Sequence, residues 1–301
     1  MSDRLEDRFS GHESFVCRYG WLPKVYRAVL QDPTILRDEL KAMHTLGIGR
    51  NMVRSIQFWG ESAGIIQLGE MGIHEPGPLG RRLFGLDGWD RYLESLESLW
   101  LIHWWLVSNA KLGAWSEVFG DGRLLRFDRK TLVDRLSFRS RDKARPLASS
   151  TLEQHVGILM QSYLKDERSN DDTSWCPLQD LSLLMQTVTD DGRVAFNVSN
   201  RQPLGLTERA FAVCLLDYVR RRGADQSNLA LADVSRGDFA LGTVLCLDEL
   251  TVRRCLDELA SGLLAGCLRF NDTADTQTVV INLNNAPDDL ILATDAEVVN
   301  A

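Results

Sequence analysis

The chain contains no Cys-x-x-Cys pair. Its six cysteines, Cys17, Cys176, Cys214, Cys246, Cys255 and Cys267, stand apart, which excludes zinc-finger spacing and a disulfide framework and leaves thiols expected to be reduced and mostly buried. P-loop, G-x-G-x-x-G and G-x-S-x-G patterns are absent as well. The opening MSDRLEDRFSGHE lacks an apolar core, so no signal peptide is expected, and no window approaches the roughly 20 apolar residues that a spanning helix needs. The expectation is a cytoplasmic protein without membrane contact. Positive charge is short too: 34 Lys and Arg against 42 Asp and Glu leave a net charge of -8. Such a balance argues against coating nucleic acid non-specifically, because that binding scales with the phosphates neutralised.

Signals for chemistry are equally thin. His12 and Glu13 begin like the zinc-protease pattern H-E-x-x-H, but Val16 stands where the second histidine ligand is required. The pairs Asp171–Asp172 and Asp190–Asp191 lie in polar turns, where solvated charge is the simpler reading. No metal, cofactor or catalytic residue is expected, and nothing in the spacing supports an enzyme.

What is present is helical patterning. With 301 residues, 44% hydrophobic and 25% charged, the chain is long enough for two or three small domains. Residues 21 to 31, WLPKVYRAVLQ, place Trp21, Leu22, Val25, Ala28 and Val29 on one face. A second helix is expected to begin at Pro33 and to end at Gly47 and Gly49. From Arg50 a third helix turns Met52, Val53, Ile56, Trp59 and Ala63 inward, which leaves Arg50, Asn51, Arg54, Gln57 and Glu61 outward, Ser55 at the flank and Phe58 also exposed. GIIQL then reads as the first strand of a wing. Around 93 to 107, LESLESLWLIHWWLV becomes apolar nearly all round, as a central buried helix does, with His103 a hydrogen-bonded core residue.

Between Arg123 and Arg145 nine basic side chains face three acidic ones, an excess of +6 in an acidic chain. Segregated charge of this kind is an electrostatic footprint. Ser150 and Glu153 then suggest a capping box opening another helix. Thr207 is expected to cap a strong helix, and Leu250, Leu256, Leu259 and Leu263 line a later one that runs into a hairpin. The last sixteen residues read as a partly ordered tail. The fold expected is mainly α with small β-hairpin wings, as tandem winged helix-turn-helix-like units around a Trp-rich central helix. Its regions are an N-terminal winged-helix-like domain over 1–90, a helical region with the basic segment and a second helix-turn-helix-like unit over 91–165, and a C-terminal winged-helix-like domain with tail over 175–301.

FSGHESF at 9–15, RYGWL at 18–22, LGIGRNMVRSIQFW at 46–59 and LESLWLIHWWLVSN at 96–109 together resemble a prokaryotic domain-of-unknown-function family, DUF4007, whose members carry F-S-G-H-E-[ST]-F and L-G-[VI]-G-[KR]-N-M-V. Cys17 departs from the aromatic expected at its place. Such proteins are encoded beside phosphoadenosine-phosphosulfate-reductase-like proteins in DNA phosphorothioation and phage-defence neighbourhoods. The resemblance therefore implies a DNA-associated defence role and assigns no activity. Periodicity does not explain FSGHESF: it reads either as a strap held by Phe9 and Phe15 with a turn at Gly11, or as a small polar or partner site made by His12, Glu13 and Arg18.

Two functions follow from different classes. In the first, duplex DNA is the partner: Arg50, Asn51, Arg54, Ser55 and Gln57 enter the major groove, where Arg pairs with guanine and Asn or Gln with adenine. Phosphates are then met by Arg126, Arg129, Lys130, Arg135, Arg139, Arg141, Lys143 and Arg145. In the second, the chain is an adaptor whose winged helices bind other proteins of a defence or modification complex, or a regulator of the locus. Self-association into a homo-oligomer is compatible with either.

Overall fold

The computed structural model describes residues 7–141, 147–165, 175–199, 203–223, 226–273 and 277–292. Helix α1 (Trp21–Gln31) forms over the predicted span and buries Trp21, Leu22, Val25, Tyr26, Ala28 and Val29. The second helix does not start at Pro33. A single 3-10 turn, Ile35–Arg37, ends at Asp38, whose extended backbone and side chain, accepting the Lys41 N–H at 3.0 Å, cap α2 (Glu39–Leu46). Gly47, in the left-handed region at φ 62°, closes that helix, and α3 (Arg50–Ser62) follows. A hairpin of β1 (Ile66–Leu68) and β2 (His74–Pro76) completes the segment. Gly64 joins α3 to it at φ +66°, where a Cβ would sit 2.4 Å from the Trp105 ring.

After α4 (Pro78–Phe84) comes α5 (Leu96–Ser108), capped by Ser95 and buried from Ser98 to Ser108. Its all-round apolar character places it at the centre, as expected. Two later segments follow a similar order of elements, the second with one short helix more. The first is α6 (Gly113–Phe119), β3 (Arg126–Phe127), α7 (Arg129–Arg139), α8 (Ser149–Tyr163), β4 (Leu184–Val188) and β5 (Val194–Val198). The second is α9 (Glu208–Arg220), β6 (Gln226–Ala230), α10 (Leu231–Arg236), α11 (Leu241–Val244), α12 (Glu249–Ser261), β7 (Leu268–Asp272) and β8 (Gln277–Asn282). In each, the early lone strand pairs antiparallel with the second strand of the closing hairpin, giving the orders β3-β5-β4 and β6-β8-β7. The chain is thus mainly α with small antiparallel sheets.

Local details refine the expectations. The capping box is not made: α8 begins at Ser149 behind Ala148, and the Ser149 hydroxyl donates to Glu153 at 2.9 Å. Thr207 does cap α9, accepting the Ala210 N–H at 3.1 Å. On α12 the buried face is Val252, Leu256 and Leu259; Leu250 is exposed because it lies off that stripe, and Leu263 because the helix ends at Ser261 before it. In the C-terminal segment Leu290 and Leu292 are buried; residues 293–301 lie outside those described.

Hydrogen bonds from indoles tie the segments together. Trp59 Nε1 donates to the Phe15 carbonyl at 2.9 Å, Trp100 to that of Leu204 at 3.0 Å, and Trp104 to Asp217 Oδ2 at 2.7 Å. The longest relay runs through His103. The Val244 carbonyl can only accept, so His103 Nε2 carries the proton it donates at 2.8 Å. The neutral ring's Nδ1 then accepts the Tyr163 O–H at 2.7 Å, and that oxygen accepts Trp115 Nε1–H at 3.1 Å. Helices α6, α8, α5 and α11 are joined without an unpaired group in the relay. Tyr163→Phe removes the hub and orphans both His103 Nδ1 and the Trp115 N–H, each at about 1–3 kcal/mol. Urea unfolding should register that loss; a change below about 0.5 kcal/mol, the low end of a net hydrogen bond, would make the relay dispensable.

Candidate nucleic-acid interface

Helix α3 turns Arg50, Asn51 and Arg54 outward, as the periodicity predicts. Both guanidiniums converge on one carboxylate of α2: Arg50 Nε lies 3.0 Å and Arg54 Nη2 3.2 Å from Glu39. Glu39 is invisible to a search along α3 because the contact is tertiary. More than half of each Arg side chain is exposed, and surface pairs of this kind contribute only about 0–1 kcal/mol, less than a bidentate base contact at about 1–3 kcal/mol. Both cations are therefore held in place yet free to exchange partners.

The rest of the predicted face departs from expectation. Ser55 is fully buried on the inner side of α3 and Phe58 is 4% exposed. The N-terminal segment covers Phe58: Arg8 lies over its ring at 4.7 Å, the His12 ring meets it edge-on, and a Cβ on Gly11 (φ +112°) would be 2.6 Å from it. Gln57 is half-buried and donates to Glu61 at 2.8 Å, while Glu61 also pairs with His74 at 2.9 Å. Hydrogen bonds from His74 and Gln57 outweigh desolvation and hold the Glu61 carboxyl below its ordinary range, although burial is the largest single influence and opposes them.

The basic run divides by partner. Arg139 is enclosed by Asp7, Glu117 at 3.3 Å and Asp121 at 2.6 Å, with its side chain 18% exposed and that of Glu117 6%. Breaking pairs buried to this degree costs about 3–5 kcal/mol, so Arg139 is a fastening of the fold. Burial alone would lower the Arg139 pKa, but its hydrogen bonds to Asp121 and Asp7 prevail and raise it. Arg135 is engaged by Glu117, and Arg141 stacks over Phe138 at 4.8 Å. Arg126, Arg129 and Lys130 are exposed. Lys143 and Arg145 lie outside the described residues.

FSGHESF is a strap. Phe9 is buried, the Arg8 N–H donates to the Lys111 carbonyl at 2.7 Å, and the Gly113 N–H donates back to Arg8 at 2.9 Å. His12 is 2% exposed and meets His155 of α8 end to end, Nε2 to Nδ1 at 3.3 Å. Backbone N–H groups of Ser14 and Ala114 point at the outer nitrogens, His12 Nδ1 at 3.3 Å and His155 Nε2 at 3.2 Å. An added proton finds no acceptor in this row. Burial pushes His12 down to about 4, and burial together with the neighbouring His12 pushes His155 down to about 3. The three proposed polar-site residues are not brought together: His12 is in the core, Glu13 is exposed at φ 49°, and Arg18 is sandwiched near the rings of Phe15 and Trp21.

A family model described as a protein of unknown function, DUF4007, matches residues 9–294. The chain belongs to that family. Among solved structures the DUF4007 chain is similar to a magnesium-ion-bound SspB crystal structure, with 24% identity, a TM-score of 0.84 and coverage of 95% of this chain and 89% of that one. A second SspB crystal structure gives 25% identity and a TM-score of 0.82 over 93% and 86% of the two chains. Comparison with curated proteins finds no match. Among the described residues of this DUF4007 chain no group of three or more His, Cys, Asp or Glu is arranged to hold a metal ion, and no helix is long and apolar enough to cross a membrane.

The buried histidines predict acid lability. His103 is also pushed down to about 4, by burial. An unfolded histidine takes up a proton near pH 6.5, whereas these three stay neutral in the folded chain until pH 3–4. Stability is therefore full above about pH 6.5 and declines as pH falls towards 4, by at most about 1.4 kcal/mol per pH unit for each histidine. Urea midpoints at pH 7 and pH 5 should show it, and His155→Gln should flatten the decline; an unaltered slope would contradict the assignment.

Proposed function

We propose that the chain is the DNA-binding component of a prokaryotic DNA-modification or defence system, contacting duplex DNA through winged helices. Membership of DUF4007 and likeness to SspB fit a component of a phosphorothioation or defence system. The observation that carries the DNA reading is the repeated topology. Helix, strand, further helices and a hairpin whose second strand takes up the early strand is an order compatible with a winged helix-turn-helix; it appears with two helices before the hairpin in β3-β5-β4 and with three, α10 to α12, in β6-β8-β7. Helices α1, α2 and α3 with the β1–β2 hairpin make a reduced version.

Within these units α3 is the helix suited to reading bases. It presents Arg50, Asn51 and Arg54 in successive turns, side chains whose fork and amide geometry match guanine and adenine edges. By contrast, α8 is buried from His155 to Met160 and again at Ser162 and Tyr163, and α12 exposes Leu250, Asp257 and Glu258 beside Arg254, which lies 3.9 Å from Glu258, while Arg253 is paired with Asp272 at 3.1 Å. Glu39 acts as an internal competitor for both arginines, which disfavours contact with any surface that offers only weak negative charge.

An adaptor role is favoured by one feature, the apolar rim of the first unit. Leu40, Leu68 and Met71 are 72%, 64% and 83% exposed, the last two on the wing. In that reading a stoichiometric protein partner co-purifies with the chain from its native host and duplex DNA does not.

Arg50→Ala with Arg54→Ala should weaken duplex binding by about 2–6 kcal/mol in a gel-shift titration, at about 1–3 kcal/mol per base contact. Glu39→Gln should tighten it, because both guanidiniums lose their competitor. Unchanged affinity in both variants would remove α3 from the interface.

A further inference from the structure

We propose that phosphate contact is made at the β3–α7 corner, by Arg126, Arg129 and Lys130, and not by the basic run as a whole. The proposal rests on the DNA reading above and assigns it a surface. The run from Arg123 to Arg141 is uniform in sequence but not in space. Arg123 is paired with Asp238 at 2.6 Å, Arg135 with Glu117, and Arg139 with Asp7, Glu117 and Asp121. Arg126, Arg129 and Lys130 are exposed and carry no ion pair among the described residues. Their nearest carboxylate in sequence, Asp128, is occupied by the Thr131 N–H at 2.7 Å.

Placement argues the same way. Arg126 stands on β3, an edge strand of its sheet, opposite Asn197 of β5, whose amide reaches the Thr187 hydroxyl at 2.9 Å. A cation and two neutral hydrogen-bonding side chains are thereby gathered beside the β4–β5 wing. Arg129 and Lys130 open α7, where no acidic residue lies in the first turn. Cations are opposed there by the helix dipole, and among the described residues only the attraction of the capping Asp128 for Lys130 offsets it. The Arg129 guanidinium reaches back along α8, 2.8 Å from the position a Cβ on Gly157 would take. A polyanion lying across this corner neutralises all three charges without breaking any internal pair.

The test is the salt dependence of full-length protein binding to a 5′-fluorescein duplex of about 20 base pairs, read by anisotropy. Replacing Arg126, Arg129 and Lys130 together by Gln should reduce the slope of log K against log salt by about 2–3 units, at about 0.9 per phosphate contact. Arg135→Gln, drawn from the same run but paired with Glu117, should leave the slope unchanged. Arg126, Arg129 and Lys130 are exposed and outside the ion pairs, so the circular dichroism melt of the triple variant should overlay the parent; Arg135→Gln takes a partner from the buried Glu117 carboxylate and should melt lower, so its slope is read well below its own midpoint. A triple variant with the parent slope overturns the corner while the DNA reading stands. Arg135→Gln with a reduction of about one unit overturns the division of the run into paired and open cations. A parent protein that binds no duplex overturns the DNA reading and this proposal with it.

Discussion

A buried indole cannot leave its N–H unpaired without cost, and in this chain that requirement sets the architecture. Each donor from Trp59, Trp100, Trp104 and Trp115 is satisfied by a group distant in sequence. Because α5 and its neighbours supply these donors, the strap, the middle segment and the C-terminal segment are fixed against one core. The His103 relay extends the same constraint: a carbonyl at one end and an indole at the other leave one allowed tautomer and one allowed arrangement. Asp217 does comparable work beside it, accepting from Trp104 and from Arg221 at 3.0 Å.

A rigid core of this kind leaves function to what it turns outward. Ion pairs sort the cations by availability. Where the carboxylate is buried, as at Glu117, the arginine is committed to the fold; where both partners are solvated, as at Glu39, it remains free to exchange. The contrast follows from desolvation, since a stranded buried charge costs several times what a surface pair contributes. An acidic chain can in this way keep a small number of cations open and still avoid indiscriminate attraction to nucleic acid. The strap serves the same economy of surface. By covering Phe58 with Arg8, Gly11 and His12 it removes an apolar ring from the face of α3.

Much of the helical fold was legible in the sequence because its signals are local. The span of α1, the Thr207 cap and the burial of α5 follow from apolar spacing and one side-chain oxygen. Asp38 overrode Pro33 as the start of α2 because a capping carboxylate with extended backbone competes successfully with a favourable first residue. Strands β3 and β6 carry no usable period: one is two residues long, and both exist through pairing with a hairpin formed later in the chain. The candidate face on α3 was half legible. Periodicity separated Arg50 and Arg54 from Val53 and Ile56, but it placed Phe58 outward because a single helix holds no record of the strap that covers it. The ion pairs of Arg135 and Arg139 were not legible for the same reason, their carboxylates lying elsewhere in the sequence.

The most direct measurement of the account is amide hydrogen exchange on the full chain with and without duplex DNA. The account predicts slowed exchange in the first turns of α3 and across residues 126–131, with α9 and α12 unaltered. Protection confined to α12 and its hairpin, or none on adding duplex, would contradict it.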